Sequence, residues 1–272
     1  MKTWFITGIS RGLGKALAEA ALARGDKVIG TTRDGRSEVA GAVVLPLEMT
    51  DPEAIAATIG KAFAEAGTID IVVNNAGYGL LGALEDAAEE DIARLFEVDL
   101  FGPLRLIRAA LPHLRAQKSG HIVNVTSIAG RAPGAGSAYY AAAKFGLEGF
   151  SQSLAQEVAP LGIKVTTVAP GAFRTDFLSS HSIRKSARST EGYADTAGKM
   201  LDAFDRMDGR QLGDPVQAAQ AILKLADAEK PPVQLLLGSD AWRRNQARLE
   251  ASAVEMAEWK DVTLGTDYPE GV

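Results

Sequence analysis

Short apolar runs rich in β-branched residues alternate with longer helical stretches along almost the whole chain. The runs predicted to be strands cover residues 4–6, 27–32, 42–47, 69–73, 121–126, 164–169 and 233–237. A strand that is buried on both faces is apolar throughout, so these runs indicate a parallel sheet covered by helices. The alternation therefore predicts a doubly wound, mostly parallel, seven-stranded α/β fold that binds ligands at the carboxyl ends of its strands.

Helices are predicted between the strands, with boundaries set by glycine, proline and capping residues. Their predicted ranges are 13–23, 52–66, 89–116, 138–158, 215–228 and 240–260. Thr50 or Asp51 is placed to cap the second helix, because Pro52 follows in its first turn. Pro112 is expected to kink the long third helix, since proline removes a backbone donor.

The length of 272 residues suits a single Rossmann-like domain, 1–272, that is large enough to bury a full core. Residues 174–210 are polar and weakly periodic between two well-patterned units, so we expect a mobile lid over the site. Residues 240–272 are expected to form a C-terminal helix and a loose tail that begins near residue 263.

Composition excludes several classes of function. The chain has 29 Lys and Arg against 34 Asp and Glu, a net charge of −5, which argues against a nucleic-acid partner. It has no cysteine, and His113, His121 and His181 have no ligand-set spacing, so we expect no metal site. Without a secretory leader or a run near 18 apolar residues, we expect a cytoplasmic protein with no membrane partner.

A glycine-rich turn, Thr-Gly-Ile-Ser-Arg-Gly-Leu-Gly at residues 7–14, joins the first strand to the first helix. Gly8, Gly12 and Gly14 are spaced one residue wider than in the commoner dinucleotide fingerprint, but the context is the same. Glycines let the backbone approach a pyrophosphate, and a helix N-terminus offers unpaired N–H groups. A plain strand-to-helix turn is the alternative, and three spaced glycines favour nucleotide binding.

The end of the second strand indicates which dinucleotide is bound. An NAD-binding chain places an acid there, but residues 31–33 are Thr-Thr-Arg. Arg33 and Arg11 are suited to clamp a 2′-phosphate, which an acid would repel, so we expect NADP(H). Two alternatives stay open: a shifted strand end that brings Asp34 forward, and arginines that are surface residues without a role.

A serine, a tyrosine and a lysine form the candidate catalytic group. Ser127 follows a predicted strand, and Tyr140 and Lys144 lie four residues apart in the helix predicted over 138–158, hence on one face. An ammonium near a phenol lowers its pKa from about 10, and a serine hydroxyl can hold a substrate oxygen. Tyr139 has no lysine four residues further on. A core tyrosine beside a solvated lysine is the alternative reading of this pattern alone.

Taken together, the chain resembles the short-chain dehydrogenase/reductase family over residues 3–237. The motifs that carry the resemblance are residues 7–14, 74–77, Ser127, Tyr140 with Lys144, and Pro170-Gly171. The resemblance implies that Tyr140 is the general acid/base, that Ser127 anchors the substrate oxygen, and that Lys144 binds the nicotinamide ribose. It implies hydride transfer between nicotinamide and a small-molecule carbonyl or secondary alcohol, in a homo-oligomer (a dimer or tetramer).

The resemblance also implies a set of cofactor-binding residues. They are Thr7, Gly8, Ser10, Arg11, Gly12, Leu13, Gly14, Arg33, Glu48, Met49, Asn75, Ala76, Gly77, Tyr140, Lys144, Pro170, Gly171 and Thr175. Two positions depart from the family. Glu48 replaces the aspartate that usually faces the adenine, and Asp99 replaces an asparagine near the lysine. We expect Asp99 to hold Lys144 through water and to raise the pKa of Tyr140, unless it faces solvent or is held neutral by burial.

Two other functions are compatible with the fold. A non-catalytic relative that senses NADP would be expected to have lost Tyr140 or Lys144. A sugar-nucleotide epimerase or dehydratase would be expected to carry more than the roughly 35 residues that follow Leu237.

The substrate is not identified by the sequence. An apolar pocket wall is suggested by Phe173, Phe177, Leu178, Tyr193 and Met200. Arg184, Lys185 and Arg188 either meet an acidic group of the substrate or form a solvated loop, which is the favoured reading.

Overall fold

The centre of the protein is a sheet of seven parallel strands, as predicted. The computed structural model describes residues 1–179, 182–186 and 190–268. The strands are β1 (Thr3–Thr7), β2 (Lys27–Thr32), β3 (Val43–Pro46), β4 (Ile71–Asn74), β5 (Gly79–Leu81), β6 (Gly120–Val125), β7 (Ile163–Pro170), β8 (Ile183–Lys185) and β9 (Gln234–Leu237). Across the main sheet the order is β3-β2-β1-β4-β6-β7-β9, and every neighbouring pair is parallel. The winding reverses between β1 and β4, where such sheets bind ligands.

Helices cover both faces of the sheet. They are α1 (Gly12–Ala23), α2 (Pro52–Ala66), α3 (Glu89–Phe96), α4 (Gly102–Gln117), α5 (Ala138–Val158), α6 (Lys199–Met207), α7 (Pro215–Asp227), α8 (Ser239–Glu258) and α9 (Lys260–Leu264). Asp51 rather than Thr50 caps α2, because its carboxylate accepts the backbone N–H groups of Glu53 and Ala54, each at 3.0 Å.

Alternate residues of β1 face the two layers of the core. Phe5 belongs to one apolar cluster together with Ile55 of α2 and Leu106 of α4. Trp4 and Ile6 belong to a second cluster on the opposite face, which α1 and α7 cover. Since both faces of the strand are buried, the sheet is doubly wound and its functional edge is left at the strand ends.

The helix predicted over 89–116 is present as a continuous helical segment, but it is not α-helical throughout. A π-helical stretch, Glu97–Phe101, lies between α3 and α4, and it contains Asp99. A π turn inserts one extra residue into the helical ladder, often at a functional site. The apolar period of 3.6 residues does not register a single inserted residue, so the sequence pattern reads as continuous.

A small second sheet was not predicted. β5 and β8 pair in parallel, with Gly79 opposite Ile183 and Leu81 opposite Lys185. Each strand has three residues, too few to show a period. The segment 174–210 thus holds more regular structure than its sequence indicates, since it contains β8 and α6.

The C-terminal region is more helical than expected. The predicted helix over 240–260 corresponds to α8, and α9 occupies the start of the stretch predicted to be loose. Residues 269–272 of that tail lie outside the described residues. Within the described ranges, no helix is both long and apolar enough to cross a bilayer.

Asp26 ties the start of β1 to the turn before β2. Its carboxylate accepts the backbone N–H of Lys2 at 2.8 Å and the indole N–H of Trp4 at 2.9 Å, and it pairs with Arg24. Burial by itself raises the pKa of Asp26, but these hydrogen bonds outweigh it and hold the pKa below its ordinary value.

We predict that Asp26→Asn lowers the free energy of unfolding near pH 7 by about 1–3 kcal/mol, because bonds to a charged acceptor are lost. The folded-state pKa lies below the unfolded one, so this stabilisation is present above the unfolded pKa of about 4 and is lost as the pH falls through the folded value. Urea unfolding across that range should show that the difference in free energy of unfolding between wild type and variant becomes smaller as the pH falls. Asp208→Asn, at an exposed position, is the control, and a gap that does not change with pH would contradict the prediction.

Candidate active site

Four neighbouring strands, β1, β4, β6 and β7, end at one edge of the main sheet, and a cavity of about 920 Å³ opens there. Ser127 and Pro170, which follow or end two of these strands, line the cavity. Thr7 and Asn74 end the other two and lie buried behind its wall. The predicted crevice is therefore present, and its floor is built from the strand ends.

Most of the residues expected to bind the cofactor line this cavity. Those that do are Gly8, Ser10, Arg11, Gly12, Leu13, Arg33, Glu48, Met49, Asn75, Ala76, Gly77, Tyr140, Lys144, Pro170, Gly171 and Thr175. Thr7, Gly14 and Asp99 are one layer deeper, so they act on the cavity through the residues that line it.

The glycine turn is fastened to the segment after β4. Thr7 Oγ1 accepts the backbone N–H groups of Asn75 at 2.9 Å and Ala76 at 3.0 Å. In return, Asn75 Nδ2 donates to the carbonyl oxygens of Thr7 at 2.9 Å and Gly8 at 3.1 Å. Thr7 and Asn75 thus fix the position of the turn.

The turn itself fits a phosphate group. Gly8 and Gly12 have φ values of +75° and +60°, which side chains other than glycine rarely adopt. A Cβ at Gly14 would overlap the carbonyl of Gly8 and the amide of Asn75. Helix α1 begins at Gly12, and in the described part of the chain no side-chain cap and no first-turn acid occupies its N-terminus. Backbone N–H groups and the helix dipole therefore point into a space where only backbone and ligand fit.

The end of β2 contributes a basic residue to the cavity. Arg33 is exposed and lines the cavity, as does Arg11. Asp34, the alternative at this position, is not among the lining residues: its carboxylate accepts the hydroxyl of Thr32 at 3.2 Å and the N–H of Arg36 at 3.1 Å. The strand end thus presents a guanidinium rather than a carboxylate to a bound ligand.

Glu48 also lines the cavity, and its carboxylate lies 3.4 Å from Arg94 Nη2. Met49 lies beside it, and a Cβ at Gly102 would overlap the Met49 carbonyl.

Ser127, Tyr140 and Lys144 meet at the centre of the cavity. Ser127 is close enough to Tyr140 to lower the pKa of its hydroxyl, and Ser127 Oγ accepts the N–H of Ala129 at 3.1 Å. Lys144 Nζ lies 5.8 Å from the centroid of the Tyr140 ring. Tyr140 and Lys144 are both buried, so the alternative of a solvated lysine is wrong.

Helix α5 is held against the sheet by Glu148, one turn after Lys144. The buried Glu148 carboxylate accepts the hydroxyls of Thr126 at 2.6 Å and Thr167 at 2.9 Å, and it lies 3.1 Å from Arg131 Nε. This network fixes the part of α5 that carries the site to β6 and β7.

Asp99 contacts Lys144 directly rather than through water. Its Oδ2 lies 3.1 Å from Lys144 Nζ, and its Oδ1 accepts the N–H of Tyr78 at 3.1 Å. Asp99 is fully buried, which rules out the solvent-facing alternative. Lys144 Nζ also donates to the carbonyl of Val125 at 3.3 Å, so the lysine joins the π turn to the end of β6.

The pKa values of this group depend on burial and on the ion pair. Burial raises the pKa of Asp99, against the effects of Lys144 and the Tyr78 N–H. Burial disfavours the Lys144 ammonium, but the Asp99 carboxylate and Tyr140 outweigh it, so the pKa of Lys144 is raised. Burial also raises the pKa of Tyr140; Lys144 and Ser127 lower it, Asp99 raises it further, and the net direction is upward. Lys144 therefore lowers the pKa of Tyr140 as expected, but in the ligand-free protein burial and Asp99 outweigh this effect.

A second tyrosine lines the cavity near this group. Tyr78 donates its hydroxyl to the carbonyl of Asp91 at 3.4 Å. Burial, and then the charge of Asp99, raise the pKa of Tyr78 to about 12. Tyr78 has neither the serine nor the close lysine that Tyr140 has.

The remaining wall is largely apolar. Met200, Phe204 and Met207 lie on one face of α6 and line the cavity, as do Phe173 and Phe177. The Phe177 ring centroid is 6.1 Å from that of Tyr140. The Tyr140 ring therefore lies beside an apolar part of the wall.

Three sequence expectations about this wall need correction or stay open. Tyr193 is not a lining residue, because its hydroxyl donates to Glu85 at 2.6 Å. Arg184 and Lys185 form ion pairs with Asp91 and Asp205. Arg188, like His181, lies outside the described residues.

Several site residues could not be found from the sequence. Asp240 and Arg244, in the first turns of α8, line the cavity; Asp240 accepts the Ala172 N–H at 2.8 Å. Gln211, in the loop before α7, is also a lining residue. The one available signal was the conspicuous Gly171, where a Cβ would overlap the carboxylate of Asp240.

Known proteins resemble the chain in sequence and in structure. A family model described as "short chain dehydrogenase" matches residues 2–185. Oxidoreductase BOA17 of Botryotinia fuckeliana is 37% identical over 276 residues, covering 97% of this chain and 99% of its own. A short-chain dehydrogenase from Streptomyces avermitilis superposes with a TM-score of 0.91 and 41% identity, covering 98% and 99% of the two chains. A metagenomic short-chain oxidoreductase in complex with NADP gives a TM-score of 0.68 and 29% identity, covering 87% and 96%.

The family model spans well over half of the chain. The Botryotinia fuckeliana and Streptomyces avermitilis proteins each match this chain over almost their whole lengths. The fold and the order of the motifs agree with that match. The protein is therefore a member of the short-chain dehydrogenase family, a family of oxidoreductases.

Proposed function

We propose that the protein is an NADP(H)-dependent oxidoreductase that transfers a hydride between nicotinamide and a small-molecule carbonyl or secondary alcohol. The observation that carries the proposal is that the buried Tyr140 and Lys144 and the half-buried Ser127 lie in one cavity with the glycine turn. Such a cavity can hold a dinucleotide along the strand ends and a substrate against the tyrosine.

Tyr140 is the general acid/base in this proposal. In reduction its hydroxyl donates a proton to the developing alkoxide, and in oxidation its phenolate removes the alcohol proton. Ser127 donates a hydrogen bond that orients the substrate oxygen toward Tyr140. Because the pKa of Tyr140 is raised in the protein alone, the tyrosine is protonated near neutral pH and is prepared for reduction.

Lys144 positions the cofactor and tunes Tyr140. An ammonium has three donors; within the described residues one is donated to the carbonyl of Val125, and the Asp99 carboxylate lies 3.1 Å away as an ion-pair partner. The third is available to a ribose hydroxyl of the cofactor. When bound, the nicotinamide accepts or supplies the hydride.

The residues of the cavity fit NADP(H). The glycine turn and the N-terminus of α1 would hold the pyrophosphate, Arg11 and Arg33 the 2′-phosphate, and Thr175 the nicotinamide end. Thr175 is next to the turn, since a Cβ at Gly12 would lie 3.5 Å from its Cβ. That the similar metagenomic oxidoreductase binds NADP supports this choice.

Two further sequence predictions complete the proposal. Residues 174–210 act as a lid, which is supported by the contacts of β8 and α6 with the cavity edge. The protein acts as a homo-oligomer, a dimer or tetramer, for which light scattering during gel filtration is the direct measurement.

We predict that NADPH binds more tightly than NADH, and that Arg33→Ala weakens NADPH at least roughly tenfold while leaving NADH nearly unchanged. Losing a charged hydrogen-bonded contact costs about 1.5–3 kcal/mol. Arg36→Ala is the matched control, since Arg36 is exposed nearby but does not line the cavity. Titration of each variant with both cofactors decides the matter, and equal affinities in the wild type would rule out the proposed clamp.

We predict that Tyr140→Phe abolishes turnover while NADPH still binds, because the ring is kept and only the transferable proton is removed. Lys144→Ala should impair both turnover and NADPH binding. Tyr139→Phe is the matched control, since Tyr139 does not line the main cavity. The readout is reduced-nicotinamide absorbance with a panel of ketones and aldehydes. A near-native rate in Tyr140→Phe would mean that another group supplies the proton.

We predict that Asp99→Asn shifts the pH dependence of kcat to lower pH. Removing a carboxylate that raises the pKa of Tyr140 should speed alcohol oxidation near neutral pH and shorten the high-pH range of reduction. Glu97→Gln, on the same π turn, is the control because Glu97 pairs with Arg105 away from the cavity. Identical profiles for wild type and Asp99→Asn in both directions would show that Asp99 is not coupled to Tyr140.

A further inference from the structure

Gln211 carries a buried amide that the proposed reaction does not use. The residue lies in the loop between α6 and α7, is 1% exposed and lines the cavity. In the part of the chain that the structure describes, neither its Nε2 nor its Oε1 has a hydrogen-bond partner. Buried polar groups are almost always paired, so both halves of this amide need an explanation.

The loop that carries Gln211 is fixed by its backbone. The Gln211 carbonyl accepts Arg174 Nη2 at 3.1 Å, and the Gly213 carbonyl accepts the N–H of Arg174 at 2.8 Å. The Gly213 N–H donates in turn to the carbonyl of Ala172 at 3.0 Å. The backbone therefore holds Gln211 at the cavity while its amide stays unpaired.

The loop borders the apolar side of the cavity rather than the glycine turn. It follows Met207, the last residue of α6, and a Cβ at Gly213 would overlap the ring of Phe173. An amide within an apolar wall gives a site its selectivity, because it rejects ligands that leave it unpaired.

Three charged side chains that line the cavity on this side already have partners. Arg244 donates to the carbonyl of Ala132 at a distance of 2.5 Å, Asp240 accepts the Ala172 N–H, and Arg184 pairs with Asp91. A neutral ligand group therefore suits this wall better than an ion does. An amide with both atoms unpaired is complementary to a group that presents an acceptor and a donor side by side.

We propose that Gln211 is a specificity-determining residue that binds a neutral carboxamide-like group on a carbonyl substrate. The inference rests on the proposed function for the reacting carbonyl. It adds a second polar group to that substrate, set apart from the carbonyl that faces Tyr140.

The test compares ketones that carry a carboxamide with partners that carry an isopropyl group of the same shape. Suitable pairs are acetoacetamide with methyl isobutyl ketone, and para- and meta-acetylbenzamide with the corresponding isopropylacetophenones. The three pairs vary the spacing between the ketone and the second group. Each is tested on wild type, on Gln211→Met, which keeps the length of the side chain without its amide, and on the control Gln217→Met, at an exposed position on α7.

Binding is measured first, without turnover. With oxidised NADP present, ketones cannot be reduced, so a rise in melting temperature reports binding alone. In at least one pair the carboxamide should raise the melting temperature of wild type and Gln217→Met more than its partner does. The difference should vanish in Gln211→Met. No such difference in wild type, or one that survives in Gln211→Met, would overturn the proposal even if the protein reduces no ketone.

Turnover and stability give two further readouts. With NADPH, the kcat/KM ratio of carboxamide to isopropyl ketone should fall at least tenfold in Gln211→Met, with the isopropyl ketone unaffected. Ligand-free Gln211→Met should melt at or above the wild-type temperature, because an unpaired amide is replaced by an apolar group. A lower melting temperature would show a structural role, and a tenfold loss of NADPH affinity would assign Gln211 to the cofactor; either result would overturn the proposal.

Discussion

The ammonium group of Lys144 is buried at the wall of the cavity, and much of the site is arranged to pair it. Removing an unpaired charge from water costs several kcal/mol, so a buried lysine requires a close partner. Asp99 supplies the carboxylate at 3.1 Å and Val125 a carbonyl at 3.3 Å. These contacts join α5, the π turn and the end of β6 at one point.

That pairing has a chemical consequence. The carboxylate that stabilises the Lys144 ammonium also opposes the phenolate of Tyr140, and burial acts in the same direction. The lysine is thus kept charged, while the tyrosine is kept protonated. A protonated tyrosine beside a hydride donor favours reduction over oxidation near neutral pH. An asparagine in place of Asp99 would hold the lysine less firmly and would weaken this bias, since burial, the largest cause of the raised Tyr140 pKa, would remain.

The sheet, most helix boundaries and part of the lining of the cavity were predictable from the sequence. β-branched runs and caps are local signals, and parallel strands bring their ends to one edge whatever the details of packing. The convergence of Thr7, Asn74, Ser127 and Pro170 follows from that topology alone. The preference for Arg33 over Asp34 at the end of β2 also agrees with the predicted strand end.

Other features depend on contacts that the sequence pattern does not record. The π turn around Asp99 adds one residue without disturbing the apolar period, so the direct contact with Lys144 was missed. Gln211 and Asp240 reach the cavity from segments far along the chain, where nothing local marks them. The raised pKa of Tyr140 is the balance of burial against three neighbours, and it requires their positions in space.

The central claim is that burial and Asp99 together raise the pKa of Tyr140 against the opposing effect of Lys144. The most direct measurement is NMR titration of protein labelled with ¹³C at the tyrosine ζ carbon, with the signal of Tyr140 assigned by its loss in Tyr140→Phe. The account predicts a pKa for Tyr140 above the ordinary value of about 10 in the ligand-free protein, and a lower pKa in Asp99→Asn. A pKa below the ordinary value, or the same pKa in both proteins, would contradict it.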